Sequence, residues 1–381
     1  MVTKTANYDL SARNTFRMRV HCALYVEVTE EADLPALDWD SLPQPVLVMG
    51  GGSNLLFTRD FPGTVLHVAA DTTAFGGTPF ASLSPAPPTA DAAGPSPYPC
   101  AGVHMSSEGS GTCLVTLSAG VVFDDFCAWA AEEGLWGPEN LSLIPGEVGA
   151  SAVQNIGAYG VEAKDIIASI RAYDRTTGQF VTIDPATCAY GYRTSKFKTE
   201  WKGRYVITAV TYRLSRTPQP RLDYGGVRKA LEESGKVPAP GNSTTLRSAD
   251  IRQAIIGIRR QKLPAVEELG SAGSFFCNPV ISREHFRRIE AIAREDNGPD
   301  YQVPHYEVGD SIKVPAAWMI EQCGFKGARS GGAQVYQKQP LVIVNASGTA
   351  SPEDIIGLEQ QIIKTIEQKY GITLHPEVEH V

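Results

Sequence analysis

The sequence predicts an α+β protein of two or three domains. Three observations lead to this class. The 381 residues exceed the roughly 150 of a typical domain. Apolar runs that read as strands crowd the first 216 residues, whereas the clearest helical periodicity lies beyond residue 217. The strands also do not alternate with helices in the regular order of a doubly wound sheet. With 43% hydrophobic and 20% charged residues, the chain can build a sizeable core.

The elements follow in order. After a polar lead-in, HCALYVEVTE reads as a strand, and Val46, Leu47, Val48 and Met49 as a short buried strand entering Gly50-Gly51-Gly52. TVLHVA closes this segment. From about residue 71 to 112 the text turns to Pro, Ala, Ser and Gly, which offers little to bury and reads as an insertion without chemistry. CLVTLSAGVVF is strand-like, and FDDFCAWAAEEG is a short helix that Gly134 stops. A glycine-rich stretch at 144–160 and more strand-like text lead to residue 216. Beyond it, one helix starts near Ser248 with Ile251, Ile255 and Ile258 on one face, and another follows Ser282. The last runs from Ser351 to Tyr370. It has a serine N-cap, Pro352 at its first position, acids in its first turn and Gly371 after its end, with Ile355, Leu358, Ile362 and Ile366 as the buried stripe. The expected segments are thus 1–70, 71–216 with the insertion, and 217–381.

Charge and cysteines narrow the function. Lys and Arg number 34 against 42 Asp and Glu, a net charge of -8, which argues against nucleic acid or an anionic membrane as partner. A small anion held by a few local cations remains open. The seven cysteines are scattered without a C-x-x-C pair, so reduced thiols are expected and neither a disulfide framework nor a metal site. No apolar run approaches the roughly 18–20 residues of a membrane span, and the N-terminal text lacks a signal-peptide core. A cytoplasmic protein is expected.

Two glycine-rich motifs carry chemistry. Gly50-Gly51-Gly52-Ser53-Asn54 follows a strand, where converging backbone N–H groups can cradle a phosphate. It is not a dinucleotide fingerprint, since Leu55 stands where the third glycine belongs, and no Gly-Lys-Ser/Thr follows to make a P-loop. Alone it reads as a tight turn. In the second motif, Ile144-Pro145-Gly146-Glu147-Val148-Gly149 continues to Gln154-Asn155-Ile156-Gly157-Ala158-Tyr159-Gly160. Small residues there let backbone approach a flat or phosphorylated ligand, and Gln154 and Asn155 offer amide hydrogen bonds. The other reading is a packing seam between layers.

GGGSN-LLF, IPG-x-VG, QNIGAYGVE, GYR-x-S-x-F, YGG, KLP, GSFF-x-NP and PEV recur here in one order. That series resembles the UDP-N-acetylenolpyruvoylglucosamine reductase family of bacterial peptidoglycan synthesis, in its longer first type with a tyrosine loop, over nearly the whole chain except the insertion and the first dozen residues. The resemblance implies a vanillyl-alcohol-oxidase-type FAD-binding fold of two α+β subdomains plus a C-terminal α+β substrate-binding domain. It also implies non-covalent FAD, NADPH as hydride donor, reduction of a UDP-sugar enolpyruvyl ether to UDP-N-acetylmuramate, and a monomer.

Carried over by motif, Ser274 would be the proton donor, with Arg193 and Glu377 completing the catalytic set. A serine hydroxyl is a weak acid, suited only to an electron-rich carbon formed beside it. A fixed guanidinium would stabilise charge developing at the substrate carboxylate, and Glu377 would either position it or hydrogen-bond the intermediate. The flavin would take Gly50, Gly51, Gly52, Ser53, Asn54, Ile144, Pro145, Gly146, Gly149, Gln154, Asn155, Gly157, Ala158 and Tyr159. Lys262, Tyr224, Asn278 and Gln322 would face the substrate, with Lys262 on phosphate and Tyr224 on a mobile loop. The sequence departs from the family pattern at Cys277, Ala150, Glu379 and His380. Two rival readings are a sugar or alcohol oxidase on the same scaffold and a non-catalytic UDP-sugar-binding protein.

Overall fold

The computed structural model describes residues 1–69, 103–108, 111–236, 246–266 and 268–381. They form two compact units: Met1–Tyr8, Cys22–Gly51 and Pro62–Arg259 make the first, and Asp9–His21, Gly52–Phe61 and Arg260–Val381 the second. The expected segment 1–70 therefore contributes to both units, and the second boundary falls at Arg259 rather than at 216.

The first unit holds two sheets. One has the order Val2–Asp9, His21–Val28, Phe61–Val68, Val46–Val48, and its last pair is parallel, with Val46 opposite Thr64. Val2–Asp9 is a strand that no apolar pattern announces, because as an edge strand it leaves most side chains in water. The second sheet is antiparallel throughout, in the order Gln179–Ile183, Ile167–Asp174, Tyr205–Ser215, Thr112–Ser118, Val103–Ser107. Val103–Ser107 is thus an edge strand, and the expected insertion ends before residue 112. The rest of it, residues 70–102 and 109–110, lies outside the described residues.

Helix α1 (Phe123–Glu132) buries Phe123 and Phe126 against this sheet, where Phe126 stacks on the fully buried Tyr212 with centroids 4.7 Å apart. Gly134 follows at φ 67°, the left-handed stop that the sequence announces. Helix α2 (Val148–Gln154) lies within the second glycine motif and ends on left-handed Asn155, at φ 47°. Helix α3 (Val227–Glu233) and helix α4 (Ser248–Lys262) share a small core of Trp136, Val227, Leu231, Ile251 and Ile255. In α4 the expected stripe meets this core, with Ile251 and Ile255 fully buried in it and Ile258 packed against it, while Ile256 is buried outside it.

The second unit carries a four-stranded sheet, Gly270–Ser274, Val342–Asn345, Ala333–Val335, Arg329–Ser330, and a three-stranded one, Val280–Ser282, Ser311–Lys313, Tyr306–Val308. Helix α5 (Arg283–Asn297) starts on Ser282, whose hydroxyl accepts the His285 N–H. Helix α6 (Ala316–Gln322) is short, and helix α7 (Pro352–Tyr370) matches its sequence signals throughout. Ser351 and Asp354 form a reciprocal capping box, Gly371 closes the helix at φ 66°, and Ile355, Leu358, Ile362 and Ile366 are fully or almost fully buried. Each contributes about 2 kcal/mol of transfer free energy to this core. No described helix is long and apolar enough to cross a membrane.

Candidate active site

In the first unit the two glycine motifs meet. The last strand bond runs from the Met49 N–H to the Leu66 carbonyl, and the chain then turns. A Cβ on Gly51 would stand 3.5 Å from Gly146 Cα, and one on Gly50 would stand 3.0 Å from Glu147 Oε2. Among the described residues the N–H groups of Gly50 and Gly51 make no hydrogen bond. Two side-chain-free turns with open N–H groups fit the pyrophosphate of a dinucleotide such as FAD. Glu147 is drawn aside by His67, whose Nε2 lies 3.1 Å from Glu147 Oε1 while its Nδ1 lies 3.3 Å from Glu27 Oε2.

Other glycines in these motifs have reasons inside the protein. Gly52 sits at φ 62° with the Arg13 carbonyl oxygen 2.1 Å from any Cβ, so no other residue fits. A Cβ on Gly149 would stand 2.8 Å from the Cβ of Ala119, and the Val148 and Gly149 N–H groups donate to the Val121 and Ala119 carbonyls. The packing-seam reading therefore holds at the start of α2, whose first N–H groups are already used.

Asn155 is fully buried, and its side chain is spent on the protein. Nδ2 donates to the Gly191 carbonyl at 2.8 Å and to Glu162 Oε2 at 3.1 Å, while Oδ1 accepts the Lys164 N–H. Gln154 Oε1 accepts from Lys198 Nζ at 2.5 Å. These amides shape the turn that carries Gly157, Ala158 and Tyr159.

Arg193 lies on that turn. It adopts φ 55°, and its Nη2 donates to the Gly157 carbonyl. A Cβ on Gly157 would be 2.9 Å from Arg193 Nη1, so the glycine makes room for the guanidinium. Arg259, near the end of α4, adds a second guanidinium close enough to feel the charge of Arg193 and hydrogen-bonds the Tyr159 hydroxyl. Burial, with Arg193's charge beside it, pulls the Arg259 guanidinium down, and burial pushes the Tyr159 phenol up despite Arg259. Two guanidiniums at one place suit a dianionic or carboxylate-bearing ligand. No sequence motif marks Arg259, because burial and the Tyr159 contact leave no trace in spacing.

Tyr224 is exposed, and its loop rests on the same turn. Gly160, at φ 81°, would bring a Cβ within 3.3 Å of Tyr224 Cβ, and one on Gly225 would stand 2.6 Å from Tyr159 Cδ1.

In the second unit the structure brings Ser274 and Glu377 onto neighbouring segments. The Glu377 N–H donates to the Phe275 carbonyl at 2.8 Å, and the Cys277 N–H donates to the His375 carbonyl at 2.9 Å. Pairing of Gly270–Ser274 with Val342–Asn345 shifts register between Ser271 and Ser274, around left-handed Gly273 at φ 71°. Such a bulge re-aims the side chain that follows it. The Ser274 hydroxyl caps no local backbone group among the described residues, unlike an ordinary turn serine.

The segment bearing Glu377 does not fray, since Ile372, Leu374 and Val378 are buried and Glu379–His380 pairs in parallel with Leu55–Leu56. Asn54 holds it further, as its Nδ2 donates to the Glu377 carbonyl at 3.1 Å. Asn54 is thus committed to the strand pair beside Ser53 and Glu377. His380, one of the departures from the family pattern, closes on Glu359 at 2.8 Å.

Lys262 is exposed at the end of α4. Asn278 Oδ1 accepts the Ala316 N–H that opens α6, and Gln322 Oε1 accepts from Asn297 Nδ2 while its carbonyl accepts from Lys369 Nζ. Both therefore have structural partners. Arg193 and Tyr224 belong to the first unit, whereas Ser274, Glu377, Lys262, Asn278 and Gln322 belong to the second.

Residues 264–381 match a family domain described as the UDP-N-acetylenolpyruvoylglucosamine reductase C-terminal domain, and residues 106–184 match one described as an FAD binding domain. The UDP-N-acetylenolpyruvoylglucosamine reductase of Bacteroides fragilis (strain YCH46) is 39% identical over 377 residues, 98% of this chain and 99% of its own length. The enzyme of that name from Chromobacterium violaceum is 40% identical over 377 residues, 98% of this chain and 97% of its own. The crystal structure of UDP-N-acetylenolpyruvylglucosamine reductase from Thermus caldophilus, 19% identical, covers 100% of this chain and 98% of its own with a TM-score of 0.61, a likeness of fold. The fold is α+β, with an FAD-binding domain followed by the reductase C-terminal domain. On this sequence identity across almost the full length, the chain belongs to the UDP-N-acetylenolpyruvoylglucosamine reductase family, the FAD-dependent oxidoreductases of peptidoglycan precursor synthesis.

Proposed function

We propose that the protein reduces UDP-N-acetylglucosamine enolpyruvate to UDP-N-acetylmuramate with NADPH, as a cytoplasmic monomer. The observation that carries this reading is the bulge at Gly273, which sets Ser274 on the segment next to Glu377 in a chain of this family. Hydride chemistry, from NADPH to the enolpyruvyl β-carbon, is what non-covalently bound FAD supplies. Gly50, Gly51 and Gly146 would hold its pyrophosphate, and the turn carrying Gly157, Ala158 and Tyr159 would lie along its flat ring.

The protein's own residues supply binding, charge and a proton. Arg193, fixed on the Gly157 carbonyl, stabilises the negative charge that gathers toward the substrate carboxylate as the β-carbon is reduced. Arg259 adds to the positive potential there. Ser274 then delivers the proton of its hydroxyl to the α-carbon, a step open to so weak an acid only because that carbon is electron-rich. Glu377 lies beside it to accept a hydrogen bond or steady the intermediate. Lys262 binds the UDP phosphates, and Tyr224 closes over the substrate.

The test separates the two halves of the reaction. Anaerobic Ser274→Ala protein should still be bleached by NADPH at the wild-type rate, while recolouring by the enolpyruvyl nucleotide falls by at least about a hundredfold. Wild-type recolouring in this variant would remove Ser274 from the reaction. Recolouring by oxygen alone, with no response to the nucleotide, would favour the oxidase reading.

A further inference from the structure

We infer that Asn140 is the positioning residue at the base of the Tyr224 loop, clamping that loop to the turn that carries Tyr159. The inference rests on the reading of Tyr224 as a substrate lid and adds the residue from which the lid swings.

Asn140 is completely buried in the short turn Glu139–Leu141 after α1. Its Nδ2 donates one hydrogen to the Tyr159 carbonyl at 2.8 Å and the other to the Arg221 carbonyl at 2.9 Å. Both partners are pure acceptors, so the orientation of the amide is fixed by chemistry. Its Oδ1 is buried without a hydrogen-bond partner among the described residues. The position therefore uses the two donors and tolerates an idle acceptor, which a residue serving packing alone would not do.

The support below is stiff. Glu139 Oε2 accepts the Gly137 N–H at 2.6 Å, the Ser142 hydroxyl donates to the Glu139 carbonyl at 2.7 Å, and the Leu141 N–H donates to the Pro138 carbonyl. The elements above are built to move. Gly225 and Gly226 adopt φ 67° and 80°, Tyr224 is exposed, and the loop packs closely on Tyr159 and Gly160. Arg221 thus stays anchored three residues before Tyr224, just ahead of the two glycines. Because the same amide holds the Tyr159 carbonyl, loop position and the Tyr159–Arg259 pair are coupled through one side chain.

The experiment uses the full-length holoprotein with Asn140→Asp and Asn140→Ser. Asn140→Asp keeps the shape but turns carboxylate oxygens toward two carbonyl oxygens. At neutral pH, amide exchange of residues 221–227 should quicken roughly tenfold or more, and KM for the enolpyruvyl nucleotide should rise by a similar factor. NADPH-driven bleaching of the flavin should stay within about twofold of wild type. The effect of Asn140→Asp should shrink as pH falls and the introduced carboxyl regains a donor, whereas that of Asn140→Ser should not depend on pH. Unchanged exchange at 221–227 in a folded variant would overturn the inference. So would a loss of bleaching in step with the rise in KM, which would mark general damage to the turn. Asn140→Ser adds no charge and keeps the test alive if Asn140→Asp does not fold. If wild-type protein were never bleached by NADPH, the reductase reading would fail, while the exchange result would still decide the clamp.

Discussion

A single methyl group placed on Gly157 tests how Arg193 is held. The Cβ of Gly157→Ala would stand 2.9 Å from Arg193 Nη1, 3.0 Å from Glu162 Cγ and 3.1 Å from the Val161 carbonyl oxygen. The Val161 carbonyl is backbone and Glu162 is held by Asn155 and Lys164, so the guanidinium must yield and lose its hydrogen bond to the Gly157 carbonyl. A charge-assisted hydrogen bond is worth about 2 kcal/mol, which corresponds to roughly a thirtyfold loss of rate in the step that Arg193 assists. That step is the second half-reaction. Rapid mixing under anaerobic conditions, with flavin absorbance as signal, should therefore show slow recolouring by the enolpyruvyl nucleotide and bleaching by NADPH within about twofold of wild type. Recolouring at the wild-type rate, with flavin content preserved, would refute the idea that this turn sets the arginine. An equal loss in both half-reactions would refute it too, since it would locate the damage in the flavin site.

Three further outcomes follow from the structure. Asp124 and Arg252 form an almost buried pair between α1 and α4, and burial pushes the Asp124 carboxyl up but Arg252 and the Leu143 N–H outweigh it and hold it below its ordinary value. Arg252→Ala should cost about 3 kcal/mol in chemical denaturation at neutral pH, and the difference from wild type should shrink as pH falls below about 4 and through the lowered carboxyl value. His380 is raised by its hydrogen bond to Glu359, with burial opposing, so its contribution is complete below about pH 6.5 and is lost as pH rises through the raised value. Amide exchange of residues 377–381 should accordingly speed up on raising the pH, beyond the intrinsic rate, and His380→Gln should abolish that excess. Gly52→Ala faces both φ 62° and a carbonyl oxygen 2.1 Å away, and should yield insoluble protein or lose more than about 3 kcal/mol on denaturation.

Much of the fold was legible where local chemistry decides it. The capping box at Ser351 and the glycine stop at Gly371 delimit α7 because both act within one turn. The run Val46–Met49 into three glycines likewise reads as a short strand and its turn, although Val46, Leu47 and Val48 are only half-buried and the parallel pairing with Phe61–Val68 was not legible. Edge strands were not legible. Val2–Asp9 leaves most of its side chains in water, and Val103–Ser107 is paired only through a hairpin at the end of a Pro/Ala/Ser-rich stretch, so neither shows an apolar strand pattern. The stripe of α4 was legible as well, since Ile251 and Ile255 enter the small core and Ile258 packs against it; the burial of Ile256, outside that core, was not.

In the candidate site, residue types were legible and destinations were not. Asn54, Asn155 and Asn278 carry amides that suit a ligand, yet the structure gives each a protein partner. Sequence cannot tell these uses apart, because an amide bonds to a backbone carbonyl as readily as to a nucleotide. Arg259 and Asn140 went the other way, unmarked by any motif and revealed only by what they touch.

The most direct test of the account is the flavin itself. Purified wild-type protein should be yellow, lose that absorbance on one equivalent of NADPH without oxygen, and regain it on one equivalent of UDP-N-acetylglucosamine enolpyruvate with formation of UDP-N-acetylmuramate. Protein that holds no flavin, or holds one that NADPH does not bleach, would contradict it.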